Sequence, residues 1–402
     1  MAQANQDLVY DRYSRECGYS MTGSKVKRIG IDASAMLIAR KNGYENYVAN
    51  LILAMAELDA SELAGLDIYL YFYAGDRLAD ATRLDTLLPR LRRFTCRVYR
   101  PRRGFRIAFP LVVGIDHLDG LHLPVYIWNE HLPCRVVSTF HDACSKRMLM
   151  QGYVLPAIDE LEQSTLKQIK ISQMFIAVSE SSKRDLIDLY HVPAERIHVV
   201  HHGISDGFKP DPSAARRVKE FYHLSPYILS VNALQGNKNY LRLLRAFAEL
   251  RARYHIPHIL VIVGRDGWGS DEVYTEIEKL QLGDKIRLLG YVPQEHLCGL
   301  YAGADMVVNA SLCEGFGLPV LEALACGAIV TASSIPPFIE IGGDAVSYFD
   351  PTSIEDMVTR IFSALTDSQE RSRRLAAVPQ QLARFTWERA ARKTLAIYRM
   401  LE

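Results

Sequence analysis

The chain has 402 residues, 49% of them hydrophobic, and its 47 basic and 46 acidic side chains leave a net charge of +1. That length exceeds what one core ordinarily fills and predicts two domains. Balanced charge argues against nucleic acid as a partner, and no run of about 18 apolar residues is present to span a bilayer.

Residues 1–26 carry Asp7, Asp11 and Glu16 around no apolar centre, so they read as a polar arm rather than a secretory signal. The first strand is expected at Lys27 to Asp32. A helix follows Asn42-Gly43-Tyr44, with apolar positions at Tyr47, Val48, Leu51, Ile52 and Met55. Further strands are expected at Asp67 to Tyr73, Arg97 to Tyr99, Arg135 to Phe140, Gln173 to Val178 and Arg196 to Val200. Such alternation predicts an α/β domain over 27–204, a doubly wound parallel sheet with helices on both faces. Asp206-Gly207 and Pro210-Asp211-Pro212 punctuate a linker, set at 205–225.

The alternation then restarts over 226–380. Strands are expected at Tyr227 to Val231, His258 to Val263, Lys285 to Leu289, Met306 to Ala310, Ala328 to Ala332 and Val346 to Phe349, with helices at Tyr240 to Arg253 and Asp271 to Leu280. Residues 381–402 hold Phe385-Thr386-Trp387 and an amphipathic helix to Met400, expected to cross back onto the first domain. Two such domains put a ligand cleft between two sets of strand carboxyl ends. No GxGxxG follows the first strand, which disfavours a dehydrogenase.

Two compositional features bear on setting. The seven cysteines, Cys17, Cys96, Cys134, Cys144, Cys298, Cys313 and Cys326, are scattered and never spaced CxxC. They predict a reducing, cytoplasmic compartment, with neither a disulfide framework nor a metal site. From Arg90 to Arg106 run eight arginines and no acid, interleaved with Phe94, Tyr99 and Phe105. This stretch suits an anionic membrane surface or, as readily, a solvated basic loop beside a buried strand, with an acidic acceptor as a third use.

Chemistry concentrates in Ser311 to Gly327, SLCEGFGLPVLEALACG. A buried strand precedes it. Pro319 suits the first turn of a helix and Gly327 its left-handed end. Between strand and helix, Glu314 and Glu322 flank Gly315-Phe316-Gly317-Leu318, where free amides and the helix dipole welcome an anion. Glu314 is expected in the loop and Glu322 in the first helical turn, facing one ligand that is part phosphate and part sugar. Lys238 follows the strand that ends at Val231-Asn232, and from there reaches the cleft. Arg265 and the Tyr291-Val292 loop follow two further strands. From the first domain come Gly43 and His141-Asp142.

These residues together resemble the retaining glycosyltransferases of family 4, with their Glu-x7-Glu signature and two-Rossmann-domain (GT-B) fold. The likeness extends through Gly30-Ile31-Asp32, Gly290-Tyr291-Val292, Tyr301-Ala302-Gly303-Ala304-Asp305 and Glu340, covering Arg28 to Leu401. The resemblance implies that Glu314 contacts the transferred sugar, Glu322 the ribose, and Lys238 the diphosphate. Gly315, Phe316 and Gly317 would line the pocket, with Leu318, Arg265, Tyr291, Val292 and Asn232 also on the donor side. Gly43, His141 and Asp142 would approach from the acceptor side, His141 as a catalytic group. Family members usually carry an arginine near the lysine, where this chain has Asn237 and Asn232.

The expected reaction moves a hexose from a nucleoside diphosphate sugar to a hydroxyl of a glycan or lipid-linked acceptor, with retention. No cofactor is expected, and no metal, because no DxD lies at a strand end of the second domain and no histidine cluster has ligand spacing. The diphosphate, already a good leaving group, calls for positive charge rather than a strong general acid. GDP-mannose is placed first among donors, ahead of UDP-glucose and a UDP-N-acetylhexosamine. The expected location is cytoplasmic, with the arginine stretch as a possible peripheral contact at the inner membrane face. Rival readings are an epimerase or hydrolase on the same scaffold, and a nucleotide-sugar-binding protein without transfer.

Overall fold

The structure is a computed structural model that describes residues 26–38, 43–73, 78–99, 113–125, 132–153, 156–224 and 226–401. Its first domain carries strands β1 (Lys27–Asp32), β2 (Leu66–Tyr73), β3 (Thr95–Tyr99), β4 (Gly120–Leu123), β5 (Arg135–Phe140), β6 (Met174–Ala177) and β7 (Ile197–Val199). They form one parallel sheet in the order β3-β2-β1-β4-β5-β6-β7. Helices α1 (Gly43–Glu57), α2 (Leu78–Leu87), α3 (Cys144–Met150), α4 (Pro156–Ile171) and α5 (Glu180–Tyr190) connect them. The second sheet is also parallel, in the order β10-β9-β8-β11-β12-β13. Its strands are β8 (Tyr227–Val231), β9 (Ile259–Val263), β10 (Ile286–Gly290), β11 (Met306–Asn309), β12 (Val330–Ser333) and β13 (Val346–Phe349). Each sheet reverses its order beside its first strand, and the loops at that point lead into the cleft.

One strand escaped the sequence reading. β4 is four residues long with a histidine in its middle, too short and too polar to stand out as an apolar run. Its neighbours make it central. His122 is fully buried, with Nδ1 2.7 Å from the Tyr398 hydroxyl and Nε2 2.8 Å from Thr139 Oγ1. Burial, joined by the nearby His141, pushes its pKa down to about 3, so the ring stays neutral.

Between the sheets, α6 (Pro212–Phe221) occupies much of the expected linker. The Asp211 carboxylate caps it, accepting from the Ser213 and Ala214 amides at 2.9 Å. The helix packs on α9 (Gln294–Gly303) through the small residues Ala214, Ala215, Gly299 and Gly303, so it belongs to the second domain. That domain also holds α7 (Tyr240–Tyr254), α8 (Ser270–Lys279), α10 (Leu318–Ala325), α11 (Pro336–Gly342), α12 (Ile354–Thr366) and α13 (Ser368–Leu382). The last helix, α14 (Trp387–Met400), returns to the first domain as its amphipathic pattern predicts. Trp387, Leu395, Ile397, Tyr398 and Leu401 share a core with Tyr47, Val48, Leu51 and Ile52 of α1.

The arginine stretch is only partly a free surface. Arg90 pairs with Glu57 at 2.9 Å, Arg93 bonds the Leu58 carbonyl, and Arg97 grips Asp116 with contacts of 2.7 to 3.2 Å. These three fasten the edge of the first sheet to its surroundings. Arg100, Arg102, Arg103 and Arg106 lie outside the described residues, as do Asn42 and the arm 1–25. Among the described residues, no helix is long and apolar enough to cross a membrane.

Candidate active site

The strand–loop–helix unit at Ser311 to Gly327 forms as its sequence dictates. β11 ends at Asn309, Gly317 takes φ +112° to turn the chain, and α10 starts at Leu318 with Pro319 in its first turn. A side chain on Gly317 would also press Phe338, with a Cβ 2.7 Å from its ring. Gly327 follows the helix at φ +78°. Glu322 falls one residue beyond the first helical turn in which it was expected.

Glu314 Oε1 lies 2.7 Å from Lys238 Nζ, and each side chain is 14% exposed. The pair comes from two loops of one domain. Lys238 ends a short 3-10 turn, Gly236–Lys238, after β8, and Asn239 follows it at φ +61°. Asn239 Nδ2 donates to the carbonyls of Ala310 (3.0 Å) and Pro351 (2.8 Å), while the Leu312 amide donates to the Asn237 carbonyl (2.8 Å), stitching the two loops together. Ser311 Oγ sits 2.8 Å from Glu314 Oε1 and 2.9 Å from Asn309 Oδ1, which in turn accepts from Asn232 Nδ2 at 3.2 Å. Asn232 thus braces the carboxylate from behind. Ser311 and Asn309, missed in the sequence because a Ser before a loop is common, complete the brace.

Glu322 points at a different environment. Burial raises its pKa to about 7, while the Tyr301 hydroxyl, donating to Oε2 at 3.0 Å, pulls it back. Tyr301 comes from α9 and is wholly buried. It is a third residue, after Ser311 and Asn309, that sequence alone left without a role.

Across the cleft, Gly43 and Leu318 meet: a Cβ on Gly43 would lie 3.8 Å from Leu318 Cδ1. The amino ends of α1 and α10 therefore converge from the two domains, a bed of free amides suited to a diphosphate. His141 presents its backbone here. A Cβ on Gly315 would fall 1.6 Å from the His141 carbonyl oxygen, so only glycine permits that approach. The His141 ring is turned aside: Nε2 donates to the Pro124 carbonyl at 2.7 Å, and the ring packs on Tyr44 and Tyr47. Burial lowers its pKa, against the Pro124 carbonyl and Asp142. Asp142 Oδ1 accepts from the Cys144 amide at 2.8 Å, and Oδ2 from the Tyr44 hydroxyl at 3.2 Å.

Several expected pocket residues take other places. Phe316 is 4% exposed and packs tilted against His202 at 4.7 Å, with Phe385 edge-on at 5.9 Å; it is a wedge at the domain junction rather than a pocket wall. Val292 belongs to the second-domain core, leaving only its backbone for a ligand. Tyr291 is largely exposed beside it. Arg265 is exposed, with its carbonyl accepting from the Leu234 amide at 2.8 Å, and its neighbour Asp266 accepts from the Tyr274 hydroxyl at 2.8 Å.

The two domains touch through polar contacts that the sequence reading did not foresee. Ser179 Oγ donates to the Gly315 carbonyl at 2.6 Å, and Ser182 Oγ lies 3.1 Å from both that carbonyl and the His141 carbonyl. Glu340 on α11 accepts from the Glu180 amide (2.9 Å), the Ser181 amide (3.3 Å) and His201 Nε2 (2.6 Å), capping α5 of the opposite domain. Burial works against its ionisation, but these donors win and hold its pKa below the usual value. The prediction of no disulfide fails: Cys144 and Cys313 are bonded, with Cα atoms 5.7 Å apart. Their sequence separation of 169 gave no spacing signal, and only folding brings them together.

Two parallel sheets facing across a cleft, with loops from both meeting at their carboxyl ends, define a two-domain α/β scaffold with its site between the domains. Residues 213–378 match the family model "Glycosyl transferases group 1", and residues 41–208 match "Glycosyltransferase Family 4". The chain is 30% identical over 289 residues to the O-antigen chain mannosyltransferase B of Escherichia coli, an alignment covering 71% of this chain and 76% of that protein. It is 26% identical over 297 residues to the E. coli serotype-specific mannosyltransferase WbdA, covering 71% of this chain and 36% of that one. The Anabaena protein HepE, solved with UDP and glucose, has the same fold, with a TM-score of 0.68 at 18% identity over 93% of this chain and all of that one. The chain belongs to the glycosyltransferases of the GT-B fold.

Proposed function

We propose that the chain is a retaining mannosyltransferase of family 4, moving mannose from GDP-mannose to a hydroxyl of a glycan or lipid-linked acceptor. The observation that carries this reading is the Glu314–Lys238 pair, braced by Ser311 and Asn309 and facing the convergent ends of α1 and α10. The mannosyltransferase relatives from E. coli support the choice of sugar.

In this mechanism Lys238 and the helix amides neutralise the departing diphosphate, where negative charge grows as the glycosidic bond breaks. Glu314, released from Lys238 by the arriving phosphate, takes a hydroxyl of the sugar. Glu322 in its ionised form accepts from the ribose. His141 is neutral, and its ring is anchored on Pro124, so it shapes the acceptor side rather than delivering a proton from Nε2. A phosphate oxygen on the leaving side takes the acceptor's proton, which places attack and departure on one face and retains configuration. The carboxylate spacing rule for glycosidases has no place here, since Glu314 is neither nucleophile nor acid. No step calls for a metal.

The test is donor turnover with GDP-mannose, UDP-glucose and UDP-N-acetylhexosamines against mannan fragments and a lipid-linked glycan. Transfer from GDP-mannose supports the proposal; nucleotide release without acceptor marks a hydrolase, and binding without release a binding protein. The cytoplasmic face of the membrane is the proposed location. If replacing Arg100, Arg102, Arg103 and Arg106 leaves binding to anionic liposomes unaltered, the membrane contact is dropped.

A further inference from the structure

The disulfide joins two walls of the cleft. Cys144 is the first residue of α3, two positions after Asp142, and Cys313 immediately precedes Glu314. Cys96, Cys134, Cys298 and Cys326 stay free. Here the pair that spans the domains is bonded instead, and it holds the loop that carries Glu314.

We propose that Cys144 and Cys313 form a reversible redox clasp: the disulfide keeps the donor loop shut against the first domain and blocks donor exchange, and reduction frees it for turnover. Every other contact on this wall can break and remake. The hydrogen bonds from Ser179 and Ser182 to Gly315 and those to Glu340 are such contacts. A covalent bond beside Glu314 cannot yield in this way, and while it stands Gly315 remains pressed on the His141 carbonyl across the cleft.

The chemistry is thiol–disulfide exchange with a small-molecule disulfide as oxidant and a dithiol as reductant. Cys144 is partly exposed and Cys313 only 8% exposed, so the oxidant meets Cys144 first. The Cys144 thiolate attacks one sulfur of the oxidant, forming a mixed disulfide and releasing one small thiol. The Cys313 thiolate then attacks the Cys144 sulfur, closing the protein bond and releasing the second. Two electrons and two protons pass from the cysteine pair to the oxidant, and a dithiol returns them.

The activity arm rests on the proposed sugar transfer, whereas the structural arms do not. The full chain is treated with oxidised glutathione or with dithiothreitol, and three quantities are read: the Cys144–Cys313 peptide in a non-reduced digest, the radius of gyration in solution, and transfer from GDP-mannose. The expected result is a bridged peptide and at least a tenfold loss of turnover on oxidation, both reversed by dithiothreitol, with the reduced protein more expanded. Cys144→Ser is expected to match reduced wild type and ignore the oxidant. The proposal is overturned if the two thiols stay open to alkylation under oxidant, if bridged and reduced proteins have equal size, or if Cys144→Ser is inhibited as strongly as wild type. Should no sugar be transferred in either state, the transfer reading fails while peptide and size still decide the clasp.

Discussion

Glu314 and Lys238 face each other at 2.7 Å with both side chains largely buried, and each is expected to exchange that partner for part of a donor. Glu314→Ala should lower kcat by about 100-fold or more, the scale of losing one preorganised group, with the unfolding temperature nearly unchanged. Lys238→Ala removes a charge-assisted contact to phosphate, about 1.5–3 kcal/mol, or roughly a 10- to 150-fold weaker donor in a binding titration. Glu322 makes a pH prediction. Its pKa, raised to about 7 by burial, leaves it increasingly protonated as the pH falls through that value. A protonated acid has less capacity to accept ribose hydroxyls, so the donor KM should rise on the acid side. Tyr301→Phe deletes the hydroxyl that pulls the pKa back, and the midpoint of the KM profile should then move to higher pH. An unmoved midpoint would mean that Glu322 does not read the donor.

At the scale of elements, the strand–loop–helix unit was legible because its punctuation is local. Pro319 and Gly327 mark the ends of α10 by backbone chemistry that any fold must respect. Which way a loop side chain turns is not local. Phe316 lies among glycines and looks like a pocket wall, yet His201, His202 and Phe385 draw it into the domain junction. Gly315 carries its own test: Gly315→Ala places a methyl against the His141 carbonyl, so transfer should drop about as far as in Glu314→Ala while the second domain keeps its fold by circular dichroism. β4 was hidden for a related reason, since His122 becomes a core residue only when Tyr398 and Thr139 arrive to bond it.

For the whole molecule, two parallel sheets and a returning helix follow from the alternation of elements, which survives errors of a residue or two at their ends. Contacts between distant segments do not announce themselves that way. Ser179, Ser182, Glu340 and the Cys144–Cys313 bond all join the two domains, and their residue types are ordinary until the sheets face each other. The returning helix binds the first domain with five large apolar side chains, at about 1.5–3 kcal/mol each when fully buried. Deleting residues 387–402 is therefore expected to cost on the order of 10 kcal/mol, comparable to the whole stability of a domain, and to yield aggregated protein on gel filtration.

The central claim, retaining transfer of mannose at the Glu314–Lys238 site, meets its most direct test in one product analysis. GDP-mannose, an α-linked donor, is incubated with a mannan fragment and wild-type or Glu314→Ala protein, and the anomeric signal of the new linkage is read by NMR. An α-linked product from wild type and almost none from the variant is the predicted result. A β-linked product, or equal yield from both proteins, would contradict it.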